Sequence, residues 1–121
     1  MSRQTYPVFV DQPGCTIHNF KITGASVGAT AGTAGLDGRG MFLCTISKAA
    51  NVVTITWTPA FGDVPYVHFQ SLTANAVVAI TSTSTATTLQ YTTYTDSTGA
   101  GLDDVDLYVT VFSYDTTSYV S

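Results

Sequence analysis

Two runs decide the fold: Met41–Ser47, MFLCTIS, and Val52–Thr58, VVTITWT, separated by Lys48–Asn51. In the second run Val53, Ile55 and Trp57 alternate with Thr54, Thr56 and Thr58. Strict alternation of this kind marks a strand with one face buried. Two such runs around a short turn predict a β-hairpin. In that hairpin Phe42, Cys44 and Ile46 share the inward face with Val53, Ile55 and Trp57, and the threonines point outward.

The same period extends in both directions. TIHNFKIT (16–23) sets His18, Phe20 and Ile22 against Ile17, Asn19 and Lys21. VPYVHFQ (64–70) alternates Val67 and Phe69 with Tyr66, His68 and Gln70, and AVVAITST (76–83) with TTLQYTTYT (87–95) predicts a second hairpin. VDLYVTVFSYD (105–115) carries Val105, Leu107, Val109 and Val111 on one face and Tyr108, Phe112 and Tyr114 on the other. Large side chains on both faces imply a central strand, or a face covered by another subunit. TYPVFV (5–10) is a short candidate strand that Pro7 assigns to a sheet edge or an extended arm. The stretch from Gly24 to Gly40 holds six of the ten glycines and reads as a long loop, either mobile or ordered by a neighbour.

No segment sustains a helical period. The expectation is an all-β antiparallel sandwich, jelly-roll or immunoglobulin-like, of about seven to eight strands. Residues 1–15 form an N-terminal arm, and 16–121 a single domain with the Gly-rich loop at 24–40.

Composition narrows the function. The chain has 121 residues, of which 10% are charged, with 4 basic and 8 acidic side chains. Every acid is Asp, while 10 Ser and 22 Thr are present. Arg3, Lys21, Arg39 and Lys48 are scattered and make no basic stripe, so nucleic acid is not an expected partner. No apolar run nears the roughly 20 residues of a membrane span. The N-terminal MSRQTYPVFVDQPG lacks the apolar core of a secretory signal, which predicts synthesis in a cytoplasm. Cys15 and Cys44 leave a disulfide open, but two buried thiols are favoured.

Residues able to carry chemistry are few. The aspartates fall in predicted turns, where the carboxylate caps local N–H groups. Asp103, Asp104 and Asp106 cluster without the further oxygen ligands and Gly turn of a calcium loop, so no metal or cofactor is expected. His18 and His68 lie on different strands, without the spacing of a zinc or Cys–His site. No nucleophile elbow or phosphate loop occurs, and the expectation is no enzyme. The aromatics say more. Tyr66, Tyr91, Tyr108 and Tyr114 are expected outward on a sheet poor in charge, as in an interface or a sugar-binding platform. A surface of Thr, Ser, Ala and Tyr with few charged gatekeepers is tolerated where subunits cover it.

The stretch from Gly40 to Asp115 resembles small β-sandwich modules of tailed-bacteriophage virions, found in head decoration (cement) proteins and at tail-fibre tips. Trp57, Phe61, Val64 and Pro65 fit a strand ending in an aromatic, a Phe, a turn and Val-Pro. Asp104, Asp106, Val109 and Val111 fit the final strand. The resemblance implies a non-enzymatic component of the outer capsid surface, trimeric, whose partners are the major capsid protein and copies of itself. Contacts are then expected from Tyr6, Phe9 and Val10 in the arm and from Tyr108, Phe112 and Tyr114 on the last strand. The alternatives are a carbohydrate- or receptor-binding module of a tail fibre, with Tyr66, Asp96 and Asp104 as glycan contacts, and a subunit of a surface filament.

Overall fold

Alternation builds two antiparallel sheets that face each other across one apolar layer. The computed structural model describes residues 15–114, so Tyr6, Phe9 and Val10 lie outside the described residues. Among those residues the strands are β1 (Cys15–Ile22), β2 (Cys44–Ala49), β3 (Val52–Trp57), β4 (Tyr66–Ser71), β5 (Ala76–Ile80), β6 (Thr88–Thr95) and β7 (Leu107–Tyr114). A three-stranded sheet has the order β1-β7-β4 and a four-stranded sheet the order β2-β3-β6-β5. The chain lays one strand in the first sheet and a hairpin in the second, repeats this, and ends with β7 between β1 and β4. The order of the described strands departs from the immunoglobulin arrangement, where the first strand pairs with the second. Here β1 pairs with β7.

Both predicted hairpins are present. In β2–β3, Cys44 lies opposite Trp57 and Ile46 opposite Ile55, all buried. The turn is Ala50–Asn51, with Ala50 at φ 55°. Asn51 Nδ2 donates to the Thr93 carbonyl at 2.9 Å, which ties the turn to β6. From the other sheet, Phe20, Ile22, Leu107, Val109 and Val111 join the same core. β7 is central, as one of the two readings of its double-sided apolar pattern required.

Two expectations are corrected. Phe42 does not face inward beside Cys44: Met41–Leu43 belongs to a helical turn, α1 (Gly40–Leu43), and Phe42 is 86% exposed. The Asp37 carboxylate accepts from the Arg39 and Gly40 N–H groups and so sets that turn before β2 begins. Tyr91 does not face outward either. It shares its face with buried Leu89, lies opposite Val53, and is 2% exposed.

The Gly-rich stretch is fastened to its own chain. Val27 and Leu36 enter the core. The Thr23 N–H donates to Gly35 O and the Asp37 N–H to Lys21 O, along β1. Gly32 exchanges two backbone hydrogen bonds with Ile46, and the Lys48 N–H donates to Gly28 O, along β2. The segment is a strap over the outer edges of both sheets on one side. Glycine is required at two places. A Cβ at Gly24 would stand 2.5 Å from the Val105 carbonyl oxygen, and Gly35 has φ 91°.

Candidate interaction face and groove

The outer face of the three-stranded sheet follows from register. Ile17, Phe112 and Tyr66 form one row across it, Asn19, Thr110 and His68 the next, and Lys21, Tyr108 and Gln70 the third. Tyr66 is 73% and Tyr108 53% exposed. Lys21 is the one formally charged side chain among these nine positions. The fold thus places Tyr66, expected as a glycan contact, beside Phe112 and on the same face as Tyr108, both expected as interface residues. Tyr114 continues β7 at the end where Tyr66 begins β4.

Asp96 and Asp104 are elsewhere. Tyr66 lies opposite Phe112, while Asp104 precedes β7 at its other end, roughly 20 Å or more away at the rise of a strand. Asp96 donates its N–H to Asn75 O, beside the start of β5. The Tyr66–Asp96–Asp104 grouping is not brought together. Asp104 instead pairs with Lys48 Nζ at 2.9 Å, and the same ammonium donates to Gly24 O at 3.0 Å. Asp106 Oδ1 accepts from the Gly24 N–H at 2.9 Å. Both carboxylates moor the strap.

The histidines point opposite ways. His68 is on the outer face, and His18 is on the inner side of β1, where burial lowers its pKa. Among the described residues no group of three His, Cys, Asp or Glu side chains is placed to hold a metal ion. Cys44 is a buried free thiol whose pKa burial pushes up to about 12. Burial also raises Tyr91, and the neighbouring Cys44 adds to the effect. Neither group is poised for chemistry at neutral pH, because each is held in its uncharged form.

Opposite the strap the sandwich is open. Between β4 and β5 runs a groove of about 280 Å³ lined by Val67, His68, Phe69, Ser71, Ala76, Val78 and Ile80. Ile80 pairs with Tyr91 and Val78 with Thr93, so both share the inward face with buried partners. Ile80 is nevertheless 50% exposed. Among the described residues four strands face three, and β4 and β5 are the edge strands of their sheets on this side. Alternation marks Ile80 only as one more strand residue. The exposure comes from strand pairing, so no sequence signal could have found the groove.

A second hollow of about 310 Å³ lies beside β1, between Ile17–Phe20 and Arg39 and Phe42. No family model, curated protein or solved structure matches this chain.

Proposed function

We propose that the chain is a structural protein of a tailed-phage virion, a capsid decoration protein that binds the outer capsid and copies of itself, as a homotrimer. It stabilises the shell by burying apolar surface across subunits, without catalysis and without a cofactor. The supporting observation is the outer face of the three-stranded sheet, where Ile17, Phe112, Tyr66 and Tyr108 line up with little charge between them. Such a face suits a protein interface, since aromatic side chains are enriched and charge depleted at interface cores. The finer architecture we propose is a sandwich of jelly-roll size, with four strands in each sheet, completed on assembly.

The test is binding to purified capsids stripped of their outer proteins. The chain should load to a fixed number per capsid and raise the temperature at which the shell opens. The pair Tyr66→Ser with Phe112→Ser should lower loading at least tenfold while the isolated chain melts within a few degrees of the parent. Deletion of residues 1–13 should also prevent loading, and unchanged occupancy would remove the arm from the mechanism. A second reading is a carbohydrate- or receptor-binding module, favoured by exposed Tyr66 beside Phe112, since sugars stack on such rings. Binding to a glycan array, lost in Tyr66→Ala, would replace the first reading with this one.

A further inference from the structure

The geometry points to one occupant for the groove between β4 and β5: the segment Thr5–Val10 of a second copy of this chain, added as a strand along the open edge of β4. The inference rests on the self-assembly reading above and names the site and the segment through which copies join.

Among the described residues the smaller sheet has one strand fewer, and β4 is its edge on the groove side. A strand on the outer edge of β4 would lie about 4.8 Å beyond it, over the inward-facing side chains of Ala76, Val78 and Ile80. It would also pair the outward backbone groups of β4, which no other described strand pairs. Outside residues 15–114, the apolar run with strand alternation is TYPVFV, 5–10. Its chemistry fits this edge. Pro7 donates no hydrogen bond, so the residues that pair with β4 are Tyr6, Val8 and Val10, with Pro7 turned to the unpaired side. The side chains of Tyr6, Val8 and Val10 then share one face. Turned inward, they meet Val78, Ile80 and Phe69. The segment has no charged residue, and no Asp, Glu, Lys or Arg lines the groove.

Chain length favours delivery from a second copy. Within one chain, residues 11–14 would have to connect Val10, beyond β4, to Cys15 at the start of β1. That gap is three strand spacings, about 14 Å. Fully extended, the five steps from Val10 to Cys15 span at most about 17 Å. That exceeds the straight-line gap by little, and the link must also clear the end of the sheet. Between two copies no such limit applies, and the exchange is a strand addition of the kind that joins subunits through main-chain hydrogen bonds.

The test uses the full chain. Light scattering should give a mass that is a multiple of one chain, and deletion of residues 1–10 should return it to one chain without loss of melting temperature. Two populations are then mixed, one carrying Val8→Cys and the other Val78→Cys or Ile80→Cys, both with Cys15→Ser. A disulfide-linked dimer containing one chain of each kind is the expected product on a non-reducing gel. Val8→Pro should abolish association, and Phe9→Pro, on the unpaired side, should leave most of it. A variant carrying both Val8→Cys and Val78→Cys that closes its disulfide only within one chain would overturn the second copy as donor. An assembled chain that neither cross-links nor responds to the deletion would overturn the groove as the site and leave self-assembly standing. A full chain that stays at the mass of one copy would overturn both.

Discussion

The two sides of the sandwich solve the same problem in opposite ways. On one side the edges of β1 and β2 are covered by a strap of the chain's own residues, with Val27 and Leu36 anchored in the core and backbone hydrogen bonds to Lys21, Ile46 and Lys48. On the other side no described segment covers β4 and β5, and Ile80 stays half exposed although it points inward. An unpaired edge is an invitation to association, and proteins usually blunt it. This chain blunts one side with a segment built for that purpose. The contrast marks the β4–β5 side as the place to test for the proposed partner.

The largest effect is expected from breaking the strap. Leu36→Ala removes a nearly buried side chain from the core and should cost about 2–4 kcal/mol in urea unfolding. The variant should also begin to associate through the β1 and β2 edges, visible as a mass increase by light scattering. A loss below about 1 kcal/mol would mean that the strap is an ornament on an already closed sandwich. Asp106→Ala should cost less, about 1–3 kcal/mol, since it takes the acceptor from the Gly24 N–H at the strap's entry. The companion Lys48→Met, which breaks the exposed Asp104 contact but keeps the aliphatic stem, should cost about 1 kcal/mol or less.

The core between the two sides can be read by pH. Cys44 and Tyr91 are both raised by burial, so the folded state holds protons that the unfolded chain releases. Their contribution is fully present below the unfolded thiol value of 9.0 and is lost as pH rises toward about 12. Melting temperature should therefore hold up to about pH 9 and fall beyond it. Cys44→Val should soften the first part of that fall and leave the tyrosine part. An unchanged profile in Cys44→Val would show that the thiol titrates alike in both states.

Legibility follows the same division. The β2–β3 hairpin could be read because Val53, Ile55 and Trp57 alternate without exception with threonine. Tyr91 is in phase with Leu89 and opposite Val53, and that pairing, which alternation within β6 alone does not reveal, puts it in the core. Phe42 is in phase with Cys44 and Ile46, so alternation places it inward, whereas contacts to Asp37, several residues earlier, make Met41–Leu43 turn. The strap left little pattern, since its hold on the sheets is mostly backbone and glycine contributes no periodicity. For the candidate site, alternation put Tyr66, Tyr108 and Phe112 on outward faces, but register alone makes them neighbours. The open groove depends on three strands facing four, and no local window of sequence contains that count.

Local strain offers a smaller change, on the turn that joins β2 to β3. Ala50 sits at φ 55°, where a Cβ is disfavoured and glycine is not. Ala50→Gly should raise stability by about 0.5 kcal/mol, after the entropy that glycine adds to the unfolded chain is deducted. A loss instead would indicate that the Ala50 methyl makes a packing contact that outweighs the strain.

The smallest effect on stability, and the sharpest on the comparison, belongs to Ile80→Lys. At half exposure the side chain contributes little to the isolated fold, so its replacement should change stability by no more than about 0.5 kcal/mol. The long stem of lysine can lie along the groove and put its ammonium in water. If the open side is only a poorly filled flank, nothing else changes. If it is where a neighbour's strand enters, a lysine at that mouth meets incoming apolar side chains and must lose its hydration, so association should fall at least tenfold while melting is unmoved.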